Sequence, residues 1–352
     1  MRRQLLDWYA RAGRSLPWRN ISDPYAIWVS EIMLQQTQVK TVLPYYRRWL
    51  ETFPTMADLA AAPRERVLKQ WEGLGYYSRA RNFHRAAQLV VEQHGGIFPR
   101  QIDEVLALPG IGRTTAGGIL SSAYNLPTAI LDGNVKRVFA RLVALPKPPA
   151  KALKQLWLLS EAAIDPHNPR DYNQALLDLG ATLCRPRQPN CPRCPWQSHC
   201  AAFTTQQQDR FPMKSPKPER PHKQIAVAIV VKGDRLLIDQ RPEQGMLGGL
   251  WEFPGGKIEA GETAADCAVR EVMEEVGLEV EPIAALGSVE HAYSHFSVTL
   301  STFICRHISG EPQALEVDDV RWVTFNQLQD YAFPVANQKI FPLLEQWLQQ
   351  SA

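Results

Sequence analysis

The sequence predicts two domains of different class: an all-α domain over residues 1–205 and an α+β domain over residues 223–352, joined by a linker at 206–222. Three observations carry this expectation. Residues 1–205 read as short helices with helical apolar periodicity, separated by Pro, Gly and Asp turns and without strand-like alternation. Residues 206–222, QQQDRFPMKSPKPERPH, lose that periodicity and hold four prolines, as an extended connector does. Beyond them, Gln224–Val231 and Arg235–Ile238 read as a strand hairpin across Lys232-Gly233-Asp234. A helix over Thr263–Val276, strands to about Val323 and an amphipathic helix from Asn337 complete the pattern. At 352 residues the chain is long enough for each domain to bury its own core.

The net charge of +3 conceals a division. Residues 1–220 hold 30 Lys/Arg against 17 Asp/Glu, whereas residues 221–352 hold 9 against 19. A basic front half suits a polyanion; an acidic back half suits metal ions or docking within the chain. The start, Met1-Arg2-Arg3-Gln4, leads into an amphipathic helix rather than a signal peptide. The longest apolar run, Ile225–Val231, is far too short to span a bilayer. A soluble intracellular protein without a membrane partner is expected.

Within the front domain, Leu108-Pro109-Gly110-Ile111-Gly112 is a two-glycine turn entering an apolar segment that begins Thr114-Thr115-Ala116-Gly117. Gly110 and Gly112 carry no Cβ, so their amides can approach a large anion, and the following helix start favours negative charge. A phosphate is the natural guest. About twenty residues on, Asp132 sits in the turn-prone Leu131-Asp132-Gly133-Asn134. A carboxylate near a captured phosphate suggests chemistry on a polynucleotide; the plainer alternative is a glycine-punctuated helix pair with an N-capping Asp. Upstream, Asp23-Pro24 starts a helix YAIWVSEIMLQQTQV in which Glu31 lies among Ile27, Trp28, Ile32 and Leu34. Shielding raises a carboxyl toward the pKa of a general acid, unless Glu31 lies on an exposed helix edge. The amide-rich Gln35-Gln36-Thr37-Gln38 suits base edges or gaps in a base stack. In Trp71–Arg81, aromatics alternate with arginines beside Gly73-Leu74-Gly75, as for stacking on bases, although a core aromatic pair with solvated arginines fits the same residues.

Cys184, Cys191, Cys194 and Cys200 fall within seventeen residues, spaced C-x6-C-x2-C-x5-C. In an intracellular chain four such thiols imply a metal centre rather than disulfides. Zinc sites usually show two C-x2-C pairs; one pair flanked by longer gaps fits an iron–sulfur cluster better. With Arg185, Arg187 and Arg193 making the loop basic, the cluster reads as a structural clamp that presents a phosphate-binding loop. In the back domain Glu271, Glu274 and Glu275 share one face of the 263–276 helix. Clustered carboxylates call for a divalent cation, Mg²⁺ or Mn²⁺, or else form a solvated acidic face.

These residues resemble a known family. Residues 1–205 look like the helix-hairpin-helix DNA glycosylases, with the hairpin LPGIGRTTA, the tetrad LDGN and the four cysteines; EIMLQQTQV and GLGYYSRARN resemble the MutY-type adenine DNA glycosylases. The resemblance implies a two-lobed helical domain with a 4Fe-4S cluster, acting on double-stranded DNA that carries adenine:8-oxoguanine or adenine:guanine mispairs. It implies that adenine is flipped out, with Glu31 as general acid, Asp132 stabilising the sugar cation and Asn134 orienting it. It further implies that Gln36, Thr37, Leu74 and Tyr76 fill the stack or touch the lesion, and that Arg14, Trp18 and Arg19 line the adenine pocket. Relatives with strand-cutting lyase activity carry a Lys where this chain has Thr114, so a monofunctional enzyme is expected.

The back domain resembles the Nudix domains of the MutT type. MutY-type proteins generally carry a degraded box, whereas here it is intact: Gly256, Glu262, Arg270-Glu271-Val272, Glu274-Glu275 and Gly277. Glu316 matches an additional metal-site carboxylate, and Arg241 and Asn337 match nucleotide-contacting positions. Tyr293-Ser294-His295 resembles the Phe-Ser-His loop that probes 8-oxoguanine in DNA. The resemblance therefore implies lesion recognition by this domain, with Mg²⁺- or Mn²⁺-dependent hydrolysis of 8-oxo-dGTP-like nucleotides as the alternative. A monomer in the cytoplasm, held on the nucleoid through DNA, is expected.

Overall fold

The structure is a computed structural model and describes residues 1–215, 220–293 and 295–351. The chain divides into two compact units, Met1–Ala61 with Asn82–Lys217, and Ala62–Arg81 with Pro218–Ala352. The front half is helical throughout, and the first strand begins at His222.

In the first unit two helices are buried almost all round, as core helices must be. In Pro24–Met33, capped by the Asp23 carboxylate on the Tyr25 N–H, every residue after Pro24 except Glu31 is buried. The helix Arg113–Tyr124 buries Thr115 through Ala123. Trp28 packs edge-on against Phe83 and Phe98, with centroids 4.6 and 5.0 Å apart, and Phe83 stacks on Trp49. A second core gathers Val135, Val138 and Phe139 with Tyr172, Leu176, Trp196 and Leu5, which fixes helices Gly133–Leu142 and Pro169–Asp178. The latter runs into a π turn at Leu179–Leu183, immediately before Cys184.

The expected helix YAIWVSEIMLQQTQV is shorter than its pattern suggests. It stops at Met33; Gln36 is left-handed with φ +59°, and a new helix, Val39–Thr52, begins after Gln38. Thr37 turns its hydroxyl to the Gln35 carbonyl at 3.4 Å, a local side-chain bond that competes with the helix, and the run becomes a turn.

The second unit is a seven-stranded mixed sheet of β1 (His222–Lys232), β2 (Arg235–Gln240), β3 (Trp251–Glu252), β4 (Gly255–Lys257), β5 (Glu279–Ala292), β6 (Ser297–Ser309) and β7 (Asp319–Val323). The path runs β3-β2-β1-β6-β5, with β4 on β1 and β7 on β2; β1 and β6 are parallel. The β1–β2 hairpin forms as expected. Strand β1 is buried on both faces: Val227 and Ile229 face one core, while Ala226, Ala228 and Val230 face Cys267, Val272 and Val276 of the helix Ala264–Val276. That helix starts at the expected Thr263, which forms a capping box with Asp266. The closing helix spans Phe341–Ser351 rather than starting at Asn337, which lies in a separate short turn of helix, Val335–Gln338. Segment 62–81 joins this unit through Lys69 Nζ to Tyr331 O (2.8 Å) and the Phe333 N–H to the Glu72 carboxylate (2.9 Å).

Candidate functional site

The first unit holds a pocket of about 540 Å³, within the usual range for ligand sites. It is lined by Arg14, Trp18, Arg19, Glu31, Thr37, Thr114, Asp132 and Asn134, so eight residues singled out in separate stretches of the sequence share one cavity. Glu31 is half-buried and opens onto this cavity. Burial, and then the nearby Asp132 carboxylate, push its pKa up to about 8, so the carboxyl is protonated at neutral pH. Gly118 makes room for it: a Cβ there would stand 2.6 Å from Glu31 Oε2.

Asp132 is the N-cap that the plainer alternative held, and it also lines the pocket. Its Oδ1 caps the helix Gly133–Leu142 by accepting from the Val135 N–H at 2.7 Å. Oδ2 accepts from Asn134 Nδ2 at 2.9 Å, and Asn134 Oδ1 accepts from Arg137 Nη2 at 2.8 Å. Arg137 also donates to the Gly180 and Cys184 carbonyls. A Cβ on Gly180 would lie 2.6 Å from Asn134 Cβ, which explains the glycine in that π turn.

The two-glycine turn lies between helices Ile102–Leu106 and Arg113–Tyr124, a helical hairpin. Gly110 has φ +77°, and Gly112 caps the second helix with nothing within 4 Å of where its Cβ would be. A large anion therefore has access to the helix start. Gln36 is exposed beside Thr37, whereas Gln35 bonds Thr115 Oγ1 at 2.9 Å. The four cysteines line one small cavity, and Arg141 Nη1 donates to Cys184 Sγ at 3.4 Å. Among the described residues no three His, Cys, Asp or Glu side chains close around a single metal ion.

Other expectations need correction. Leu74 is buried, not presented to a base stack. Trp71 and Tyr77 are core residues, as the plainer alternative held, but Arg79 is buried with them rather than solvated. It lies over the Trp71 ring and donates to the Leu74 and Gly75 carbonyls. Tyr76 remains half-buried.

In the second unit the glutamates of the box helix do not form a bare acidic face. Arg270 donates to Glu262 (2.8 Å), Glu271 (2.9 Å) and Glu274 (2.8 Å), so a guanidinium supplies the countercharge expected of a cation. Glu275 turns inward and accepts from the Gly255 N–H; burial and then Glu252 push it up to about 8. A Cβ at Gly256 would meet Glu271 Oε1 at 2.1 Å, so the carboxylate could keep its place only beside a glycine. Glu316 is exposed, and its N–H points to the Glu275 carbonyl. Arg241 and Asn337 both line a cavity of about 180 Å³, shared with Glu252, Tyr293 and Phe296. His295 is exposed, and Ser294 lies outside the described residues.

Sequence reasoning passed over Gly118, Ser122, Asn173, Gln174 and Asp178 around the pocket. Asn173, Gln174 and Asp178 sit in an unremarkable apolar stretch, NQALLDLG, whose only signal is an acid among leucines.

Comparison with known proteins agrees with this geometry. Residues 29–161 match the family model of the HhH-GPD superfamily base excision DNA repair proteins, and residues 226–343 match that of the NUDIX domain. The helical fold is shared with a thermostable thymine-DNA glycosylase (TM-score 0.54, 28% identity, 58% of this chain and 95% of that one). Fold and pocket together thus define the class of base-excision repair N-glycosylases. Adenine DNA glycosylase of Rattus norvegicus is 36% identical, covering 98% of this chain and 78% of its own length; that of Homo sapiens is 35% identical, covering 97% and 73%. The chain belongs to the adenine DNA glycosylase family.

Proposed function

We propose that this adenine DNA glycosylase removes adenine paired with 8-oxoguanine or guanine by hydrolysis and leaves an abasic site uncut. The carrying observation is that Glu31, whose carboxyl is pushed up to about 8 by burial, and the Asp132 carboxylate line one pocket. Glu31 gives its proton to N7 of the everted adenine as the C1′–N9 bond breaks and the bonding electrons leave with the base. Asp132, negatively charged and anchored by Val135 and Asn134, steadies the cationic sugar. Water then adds to C1′ and returns a proton to Glu31. Thr114 offers no amine for a Schiff base. Gly110 and Gly112 receive a DNA phosphate, and Gln36, Thr37, Tyr76, Ser294 and His295 contact the lesion strand. Cys184, Cys191, Cys194 and Cys200 hold a 4Fe-4S cluster. A cluster is met at its corners rather than at a point, and four thiols around one cavity beside Arg141 suit it. Asp132→Asn is expected to lower single-turnover adenine release at least a thousandfold while duplex affinity survives; retained release discards the assignment.

A second reading is supported by the complete Nudix box. The back domain hydrolyses an 8-oxo-dGTP-like nucleotide at the Arg241–Asn337 cavity, with Glu271 and Glu274, once Arg270 yields them, and the inward-turned Glu275 as hard oxygen ligands for Mg²⁺ or Mn²⁺. Assay of nucleotide hydrolysis with Mg²⁺, native chain against Glu271→Gln, is expected to show turnover in the first and a loss of at least a hundredfold in the second. Equal or absent turnover leaves recognition alone.

A further inference from the structure

Behind the wall of the first unit's pocket lies a carboxylate that touches neither the cavity nor solvent. Asp178 is 0% exposed, yet Arg14 and Arg19 converge on it. Its Oδ2 accepts from Arg14 N (2.8 Å) and Arg19 Nη1 (2.7 Å); its Oδ1 accepts from Arg14 Nε (2.7 Å) and Arg19 Nη2 (2.7 Å). Burial alone would push this carboxyl up, but the hydrogen bonds from Arg19 and Arg14 outweigh it and hold it below the usual carboxylate range.

The order does not stop at the arginines. Arg19 Nε donates to Gln174 Oε1 at 2.9 Å, and Gln174 Nε2 then donates to Ser122 Oγ at 3.2 Å. A guanidinium has only donors, so it dictates which end of the Gln174 amide faces it and which faces Ser122. Arg14, Arg19, Gln174 and Ser122 all line the cavity.

We propose that Asp178 is a positioning residue for base excision, fixing through Arg14 and Arg19 where the donors and acceptors of the pocket wall point. This rests on the adenine-excision reading above. Without its charge the two neighbouring guanidiniums lose their shared counterion, Arg19 keeps its Nη1 bond to the Arg14 carbonyl but loses a carboxylate oxygen as partner, and the amide of Gln174 is held less firmly.

The test uses the full chain with its cluster, the single-turnover rate on an adenine:8-oxoguanine duplex, and the affinity for the same duplex carrying a non-hydrolysable 2′-fluoro-deoxyadenosine. Asp178→Asn keeps the shape and removes the charge. It is expected to slow excision at least tenfold with duplex affinity within threefold, and Asp178→Glu is expected to restore most of the rate. A native rate in Asp178→Asn overturns the proposal, as does a rate loss that merely follows lost folded fraction or lost affinity, or an Asp178→Glu as slow as Asp178→Asn. If Asp178→Asn does not fold, Arg14→Lys decides. It keeps the charge but cannot bond Asp178 through Nε and Nη2 together, so the same selective loss supports the proposal and a native rate overturns it. Native protein that releases no adenine overturns the functional reading itself, before any variant is compared.

Discussion

Glu31 shows how one side chain trades stability for chemistry. Its folded pKa, raised to about 8 by burial and then by Asp132, lies far above its ordinary value of 4.5. The folded state therefore prefers the protonated carboxyl. That contribution is fully present below the unfolded pKa, shrinks as pH rises, and is lost once pH passes the folded value. Two outcomes follow. Adenine release falls as pH rises through about 8, because the acid has lost its proton, and a pH–rate profile checks this. Glu31→Gln, which cannot ionise, is inactive yet more stable than the native chain at pH 7–8, by on the order of 2 kcal/mol once water in the pocket is allowed for. A thermal melt in which Glu31→Gln unfolds earlier than native contradicts the raised pKa. The apolar neighbours of Glu31 made this shielding legible in the sequence. The contribution of Asp132, a hundred residues away, was not.

The helix Arg113–Tyr124 carries two adjacent glycines with different duties. At Gly117 a Cβ would meet the backbone carbonyl of Ala129 at 2.2 Å; at Gly118 it would meet the tip of Glu31 at 2.6 Å. Backbone cannot yield and a side-chain tip can. Gly117→Ala is therefore expected to destabilise the chain by about 2 kcal/mol or more through overpacking. Gly118→Ala is expected to leave stability unchanged or raised by about 0.5 kcal/mol, from better helix propensity, while displacing the acid and slowing excision at least tenfold. Chemical denaturation and single-turnover kinetics on the two variants separate these effects. In the sequence the pair reads only as a weak spot in an apolar helix. Its purpose appears when Ala129 and Glu31 are packed against it. The box helix gives the converse case: its start at Thr263 was readable from the capping residues, but the capture of three carboxylates by Arg270 was not, because Glu262 comes from a separate turn.

For the molecule as a whole the dominant sequence feature is the charge division between residues 1–220 and 221–352. Each unit has its own core, so each charge distribution can act on its own ligand. Binding of duplex DNA by the basic helical unit releases counterions, and affinity is expected to fall at least tenfold between 50 and 200 mM salt. A titration over that range gives the number of phosphates neutralised. An affinity indifferent to salt removes the electrostatic account of the basic surface.

Residue order determined much that is local: that the front half is helical, where the box helix is capped, that a hairpin joins the first two strands, and which thiols lie close together along the chain. These depend on neighbours within a few positions, where backbone preference and periodicity act. Tertiary structure alone decided that Leu74 is covered, that Arg270 occupies the acidic face, and that Asp178 stands behind the pocket wall. Each of those outcomes is set by side chains brought together across a turn or across the fold. The free energy of a buried charge depends on what surrounds it in space, which no single stretch of sequence contains.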